Sequence, residues 1–220
     1  MELKSGKMLF TFVVGISVFV SAHAAPPRSV DVRDFDIAGV KTGMDFDQAV
    51  AAAANHLQIA LNEIKPCPPR DDRVNKTRVP CCFRYRKDGV DLFVEFRGRV
   101  PVDKARPLVV WRVNYRQPLS QQNQEAMAKA ALAKYGEPSW LRPVDNTQDG
   151  PTKQMFWCAK PGSLPHYACA QEKQASLELG WTTLTLTDWA WVEAEDKFIE
   201  DLGKAKKKAF EDSNARKPSF

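Results

Sequence analysis

The sequence predicts an α+β fold, an antiparallel β-sheet with helices packed on one face. Two observations carry this. Three consecutive segments between residues 79 and 116 alternate apolar with polar, so each has one apolar face. The strand-like and helix-like segments then come in groups along the chain rather than in strict alternation, which separates α+β from α/β.

Residues 1–24 read as a signal peptide. Lys4 and Lys7 precede an apolar run from 8 to 20, followed by Ser21-Ala22-His23-Ala24-Ala25. Small residues at Ala22 and Ala24 suit signal peptidase, so the mature chain is expected to begin at Ala25, and the protein to be periplasmic. The apolar run is short of the about 20 residues that span a bilayer. No cysteine follows the cleavage site, so no lipid anchor is expected. Residues 25–212 form one expected α+β domain, and 213–220 a flexible tail.

Within that domain, 35–40 alternate and read as a short strand ended by Gly43. Asp45 and Gln48 have the spacing of a capping box. Apolar positions from Phe46 through Ala49, Val50, Ala53, Leu57, Ala60, Leu61 and Ile64 then trace one helical stripe, stopped by Pro66, Pro68 and Pro69. Strands are expected over 79–86, 90–97 and 109–116, the first two joined by the turn Asp88-Gly89. Their alternation places Phe83, Tyr85, Trp111 and Tyr115 on one face. It places Arg84, Arg86, Arg97, Arg112 and Arg116 on the other, with Phe93 among them.

Ser120 caps a second helix, with Met127, Ala131 and Tyr135 on one side, ended by Gly136 and Pro138. Residues 141–152 read as a loop. Residues 153–159 and 175–192 supply strands, the latter including Trp189-Ala190-Trp191, and 194–212 a last helix. No internal repeat stands out. Lys206, Lys207 and Lys208 lie near that helix's C-terminus, where cations suit the dipole.

Two stretches carry a resemblance: Phe35-Asp36-Ile37-Ala38-Gly39-Val40-Lys41-Thr42-Gly43-Met44 leading into a helix, and Ala133-Lys134-Tyr135-Gly136-Glu137-Pro138 closing one. Together they resemble small bacterial periplasmic proteins of uncharacterised function, and more distantly the BamE/SmpA and β-lactamase-inhibitor-protein-like group. The resemblance implies a non-enzymatic binding or assembly module with helices on an antiparallel sheet.

The cysteines are Cys67, Cys81, Cys82, Cys158 and Cys169. An exported chain of this kind is expected to hold two disulfides and one thiol. Cys158–Cys169 is expected, with Cys67 bonded to Cys81 or Cys82. Strand alternation turns Cys81 and Cys82 to opposite faces, so no bond between them is expected. There is no C-x-x-C and no zinc-ligand spacing.

The 158–169 disulfide would stiffen a loop bearing Lys160, His166 and Tyr167. That loop resembles the disulfide-bounded, His-bearing loop of Ivy-type lysozyme inhibitors. His56 lies beside the first helix's apolar stripe and reads as a border residue. Residues 145–150 imitate the front of a calcium loop, but the twelfth position is Phe156, which supplies no carboxylate.

None of G-x-S-x-G, H-E-x-x-H, the P-loop or G-x-G-x-x-G occurs, and no cofactor or metal is expected. The formal charge of +5 falls by one when Lys4, Lys7 and Glu2 leave with the signal segment. A mild positive charge on an exported chain does not indicate nucleic acid. The expected function is a soluble, non-catalytic binding or envelope-assembly module. Its expected partner is an anionic envelope component or another envelope protein. The alternatives are an inhibitor presenting the 158–169 loop, or a small periplasmic enzyme with scattered acidic residues.

Overall fold

The computed structural model describes residues 31–144, 152–159 and 174–215. The signal segment, the 145–150 turn and most of the 158–169 loop lie outside them. The fold is α+β, as the grouping of segments predicts.

A 3₁₀ turn at Val32–Asp34 leads into residues 35–40, which form a tight turn rather than a strand. Ile37 and Val40 exchange backbone hydrogen bonds at 3.0 and 2.9 Å, and Ala38 and Gly39 both take positive φ. Four residues closed by two positive-φ positions leave no length for a strand. Gly39 packs on the helix that follows: a Cβ there would stand 2.9 Å from the Ala52 carbonyl oxygen.

That helix, α1 (Phe46–Leu57), starts at the expected capping box. Gln48 N–H donates to Asp45 Oδ1 at 2.8 Å, and Asp45 N–H donates to Gln48 Oε1 at 3.1 Å. It ends before Ile64 because Gln58 turns left-handed, at φ 54°. The proline cluster downstream therefore does not end it.

The strands are β1 (Lys65–Pro66), β2 (Pro69–Asp71), β3 (Arg78–Pro80), β4 (Cys82–Lys87), β5 (Val90–Gly98) and β6 (Leu108–Arg116), then β7 (Trp140–Val144), β8 (Thr152–Cys158), β9 (Ser176–Gly180) and β10 (Thr183–Thr187). The expected single strand over 79–86 is broken at Cys81. Upstream, β3 pairs only with β2 in a small ribbon, while β4 joins the main sheet. The expected loop over 141–152 begins as β7, which pairs with β8.

Helix α2 (Gln121–Tyr135) is capped by Ser120, whose hydroxyl accepts from Asn123 N–H at 3.1 Å. The last helix, α3, spans Trp189–Ala215 and packs through Trp189 and Glu195 on the sheet face opposite α1 and α2, so the expected placement of the helices on one face holds for α1 and α2 and not for α3. It starts earlier than expected and takes in Trp189-Ala190-Trp191, because Asp188 Oδ1 accepts from Ala190 N–H at 3.1 Å and opens the helix there.

The main sheet has the order β1-β4-β5-β6-β10-β9-β8-β7, with every pair antiparallel. The chain follows one plan twice. A helix (α1, then α2) is followed by four strands that run from an outer edge to the centre, where β6 and β10 pair. Helices α1 and α2 share one core with the apolar face of both halves. Phe83, Leu92, Val94, Val113, Trp157, Leu177 and Leu186 are fully buried there against Ala49, Ala53, Met127 and Ala131. Each large side chain buried in this way stabilises the fold by about 1.5–3 kcal/mol.

Candidate functional site

The sheet face opposite α1 and α2 is built by strand alternation. In the β4–β5 register Arg84 faces Phe93 and Arg86 faces Asp91. In the β5–β6 register Asp91 faces Arg116, Phe93 faces Asn114, and Glu95 faces Arg112. Arg84, Arg86, Arg97, Arg112 and Arg116 therefore share one face, as the pattern predicts.

Trp111 departs from the pattern. The register shifts at Glu95/Phe96, so Val110 pairs with Phe96, Arg112 pairs with Glu95, and Trp111 is the extra residue of a β-bulge. Its ring turns to the arginine face, not to the side of Phe83 and Tyr85. The Arg97 guanidinium lies 5.1 Å and the Arg112 guanidinium 6.0 Å from the ring centroid, and Trp189 of α3 meets it edge-on at 5.5 Å. The backbone groups freed by the bulge are taken up from outside the sheet. Val110 N–H donates to the Met44 carbonyl, Gly43 N–H to the Val110 carbonyl, and Asp188 N–H to the Trp111 carbonyl, all at 2.8–2.9 Å. The bulge thus ties the approach to α1 and the start of α3 to the sheet centre.

Four of the five arginines are held in place. Arg84 grips Asp91 with two prongs, Nε lying 2.7 Å from Oδ1, and stacks 5.5 Å from the Phe93 centroid. Arg86 Nη2 donates to the same carboxylate at 2.9 Å. The Arg84 hydrogen bond, with Arg86 beside it, holds the Asp91 carboxyl below the usual carboxylate range against the effect of burial. Arg112 lies 3.8 Å from Glu95, and Arg97 lies 3.9 Å from Glu195. Arg116 is exposed and makes no ion pair among the described residues.

At one end this face deepens into a cavity of about 300 Å³. It is walled by Arg70 and Arg73 of the β2–β3 ribbon, Cys81, Arg97, Trp111 and Glu195. The ribbon packs directly on β5, where a Cβ on Gly98 would fall 2.6 Å from Asp72 Oδ1. Its turn is held by Asp72 Oδ2, which accepts from Asn75 N–H at 2.7 Å, while Asn75 Nδ2 donates to the Pro107 carbonyl at 3.0 Å.

Glu195 on α3 is buried and accepts from Gly98 N–H at 3.3 Å. Burial pushes its carboxyl above the usual range, against the pull of Arg97. Glu178 on β9 is likewise raised by burial, against Arg112 and Arg142.

Three sulfurs meet beside the cavity. Cys67 and Cys82 form a disulfide, one of the two pairings left open by the sequence, and Cys81 is free. Cys81 sits in the bend between β3 and β4, so strand alternation does not apply to it. Its Sγ lies 3.6 Å from that of Cys82, not on the opposite face of a strand. Cys158 is disulfide-bonded, and its expected partner Cys169 lies outside the described residues. Lys160, His166 and Tyr167 lie outside them as well.

A second, apolar groove runs between α1 and α2, with His56, Tyr115, Met127 and Leu184 in its lining. Lys134 closes one side by donating to Asp36 Oδ2 at 2.7 Å. Burial works to raise the Asp36 carboxyl, but Lys134 and the Gly39 N–H outweigh it and hold it below the usual range.

Glu195, Trp189 and the ribbon residues Arg70 and Arg73 are the parts of the site that sequence reasoning missed. Glu195 joins Gly98 across almost a hundred residues, a pairing with no local signal. Trp189 was legible only as an apparent strand end.

Among the described residues, no group of three or more His, Cys, Asp or Glu side chains is placed to hold a metal ion, and no helix is long and apolar enough to cross a membrane. No known protein-family model matches the chain, and neither a curated protein nor a solved structure is significantly similar to it.

Proposed function

We propose that the protein is an exported, non-catalytic binding module of the bacterial envelope, and that its arginine-bearing sheet face takes an acidic segment of another envelope protein. One observation carries the reading: five arginines on three adjacent strands share the face away from α1 and α2, with the rings of Phe93 and Trp111 under three of their guanidinium groups.

An arginine has five N–H donors. Arg84 uses Nε and Nη2 on Asp91, and Arg86 uses Nη2, so both partly exposed side chains keep unused donors. Carboxylates and rings hold these side chains before any partner arrives, and less ordering entropy is then lost on binding. Arginine beside aromatic side chains on a broad face is the chemistry of protein contacts rather than of a small-molecule pocket. The signal-like N-terminus and the resemblance to periplasmic binding and assembly modules support the same reading.

The test uses a fluorescein-labelled glutamate-rich peptide and, separately, vesicles of anionic phospholipid. Arg86 and Arg116 are the residues to change. Asp91 keeps its Arg84 fork when Arg86 is lost, and Arg116 has no ion partner to orphan among the described residues. Wild type should bind the peptide with an affinity that falls as salt rises. R86Q/R116Q should bind it about 2- to 30-fold more weakly, two exposed charge pairs being worth ~0.2–1 kcal/mol each, with an unchanged denaturation midpoint. Equal peptide binding by both chains overturns the site. Binding to vesicles but not to peptide overturns the protein partner in favour of a lipid surface.

A further inference from the structure

We propose that Cys67, Cys81 and Cys82 form a thiol–disulfide exchange site, in which the Cys81 thiolate attacks the Cys82 sulfur and releases Cys67. The cluster holds all the reactants the step needs. Cys67–Cys82 is the disulfide, Cys81 is the free thiol, and the Cys81 and Cys82 sulfurs lie 3.6 Å apart, in van der Waals contact.

The placement follows from the fold. Strands β3 and β4 belong to different sheets, so the chain bends at Cys81 instead of continuing as one strand. Both Cys81 and Cys82 border the open cavity, and Cys81 is only half-buried, so water has access to carry protons away from and to the sulfurs.

The step balances without an outside oxidant. Cys81 loses its proton to solvent, because the thiolate is the nucleophile. A bond forms between the Cys81 and Cys82 sulfurs while the Cys82–Cys67 bond breaks. The bonding pair leaves on the Cys67 sulfur, which takes up a proton. One disulfide and one thiol are present before and after.

What changes is which part of the chain is closed. The Cys67–Cys82 bond joins residues 15 apart and clasps the base of the β2–β3 ribbon. After exchange the closure spans two adjacent residues, and Cys67 is left with the backbone hydrogen bond from its N–H to the Cys82 carbonyl, 2.8 Å. Since Arg70 and Arg73 of the ribbon wall the cavity, exchange would loosen one wall of it. This inference does not depend on the arginine face binding a partner.

The experiment follows the free thiol in the full exported chain. Protein is held without reductant at two pH values, quenched in acid, alkylated and mapped without reduction. At the start the label should fall on Cys81 alone. With time it should appear on Cys67, at a rate independent of protein concentration and faster at the higher pH, because the thiolate is the nucleophile. In C81S, Cys67 and Cys82 should stay unlabelled throughout.

Label confined to Cys81 overturns the proposal. So does label on Cys158 or Cys169, label whose rate rises with protein concentration, or labelling of Cys67 in C81S. Label on Cys82 in place of Cys67 overturns the choice of the attacked sulfur.

Discussion

The two halves of the sheet share a plan and differ in what they place on the face away from α1 and α2. In the first half, β4, β5 and β6 set Arg84, Arg86, Asp91, Glu95, Arg97, Arg112 and Arg116 there. In the second half, the positions continuing that face include Thr183, Thr185 and Thr187 on β10, Ser176 and Glu178 on β9, Phe156 on β8, and Trp140 and Arg142 on β7, of which only Glu178 and Arg142 are charged. One frame therefore carries a charged surface on one side of its centre and a mostly uncharged one on the other. Both halves supply apolar positions to the shared core, and that core places no demand on what the outward positions carry. The architecture alone is then silent about binding, and the functional reading rests on the first half's side chains.

The sharpest way to break the comparison is to attack the core that the halves share. Phe83 on β4 and Trp157 on β8 are both fully buried, and both belong to a single apolar cluster. Trp157 also donates from Nε1 to the Gly136 carbonyl at 3.1 Å. F83A and W157A should each lower the unfolding free energy by about 3–5 kcal/mol. Each should retain one denaturant transition, with tryptophan fluorescence and far-ultraviolet circular dichroism coincident. Two separated transitions would mean that the halves are distinct folding units.

The sequence carried the local features better than those set by distant partners, for physical reasons. Local signals sufficed where structure is local. The Asp45/Gln48 box, the Asp88-Gly89 turn and the alternation through β4, β5 and β6 each act within a few residues. What failed depended on distant partners. The bulge at Trp111 is held by Met44, Gly43 and Asp188, none of them near it in sequence. At Cys81 the residue pattern runs on unbroken while the chain changes sheet, because alternation does not reveal which sheet a strand joins. The duplicated plan left no visible repeat because only the apolar positions are shared, and many side chains satisfy those.

A smaller effect separates the halves at the strand ends. Gly98 closes β5 and Gly180 closes β9. A methyl group on Gly98 would meet Asp72 and Val74 of the ribbon loop at 2.6 Å, whereas on Gly180 its nearest neighbour is Gln154 Nε2 at 3.4 Å. G98A should therefore cost about 1–3 kcal/mol through overpacking. G180A should be neutral or stabilise by about 0.4–1 kcal/mol, because alanine restricts the unfolded chain. Equal costs at the two positions would show that the ribbon is not packed on β5 as described. The measurement is the shift in urea midpoint with unchanged slope.

The smallest expected effect is one of sign, and it compares a carboxylate from each half. Asp91 is held below the ordinary carboxylate value of about 4 by Arg84 and Arg86. The folded state therefore binds its proton less readily than the unfolded state. The resulting stability is fully present above the ordinary value and is lost as pH falls through the folded one. Glu178 is raised by burial, only partly countered by Arg112 and Arg142. The folded state then holds that proton more readily, so stability falls as pH climbs from the ordinary value through the raised one. D91N should cost no more than about 1 kcal/mol at neutral pH, because the side chain of Arg84 is nearly half exposed and solvent screens the pair. It should also flatten the acid side of the stability profile. E178Q should leave the acid side unchanged, remove the decline above it, and come out slightly more stable than wild type at neutral pH. Urea midpoints measured across the acid-to-neutral range decide between these shapes. If both variants shifted the profile in the same direction, the two carboxylates would not differ in environment, and the contrast between a charged half and a largely uncharged half would fail at its titratable positions.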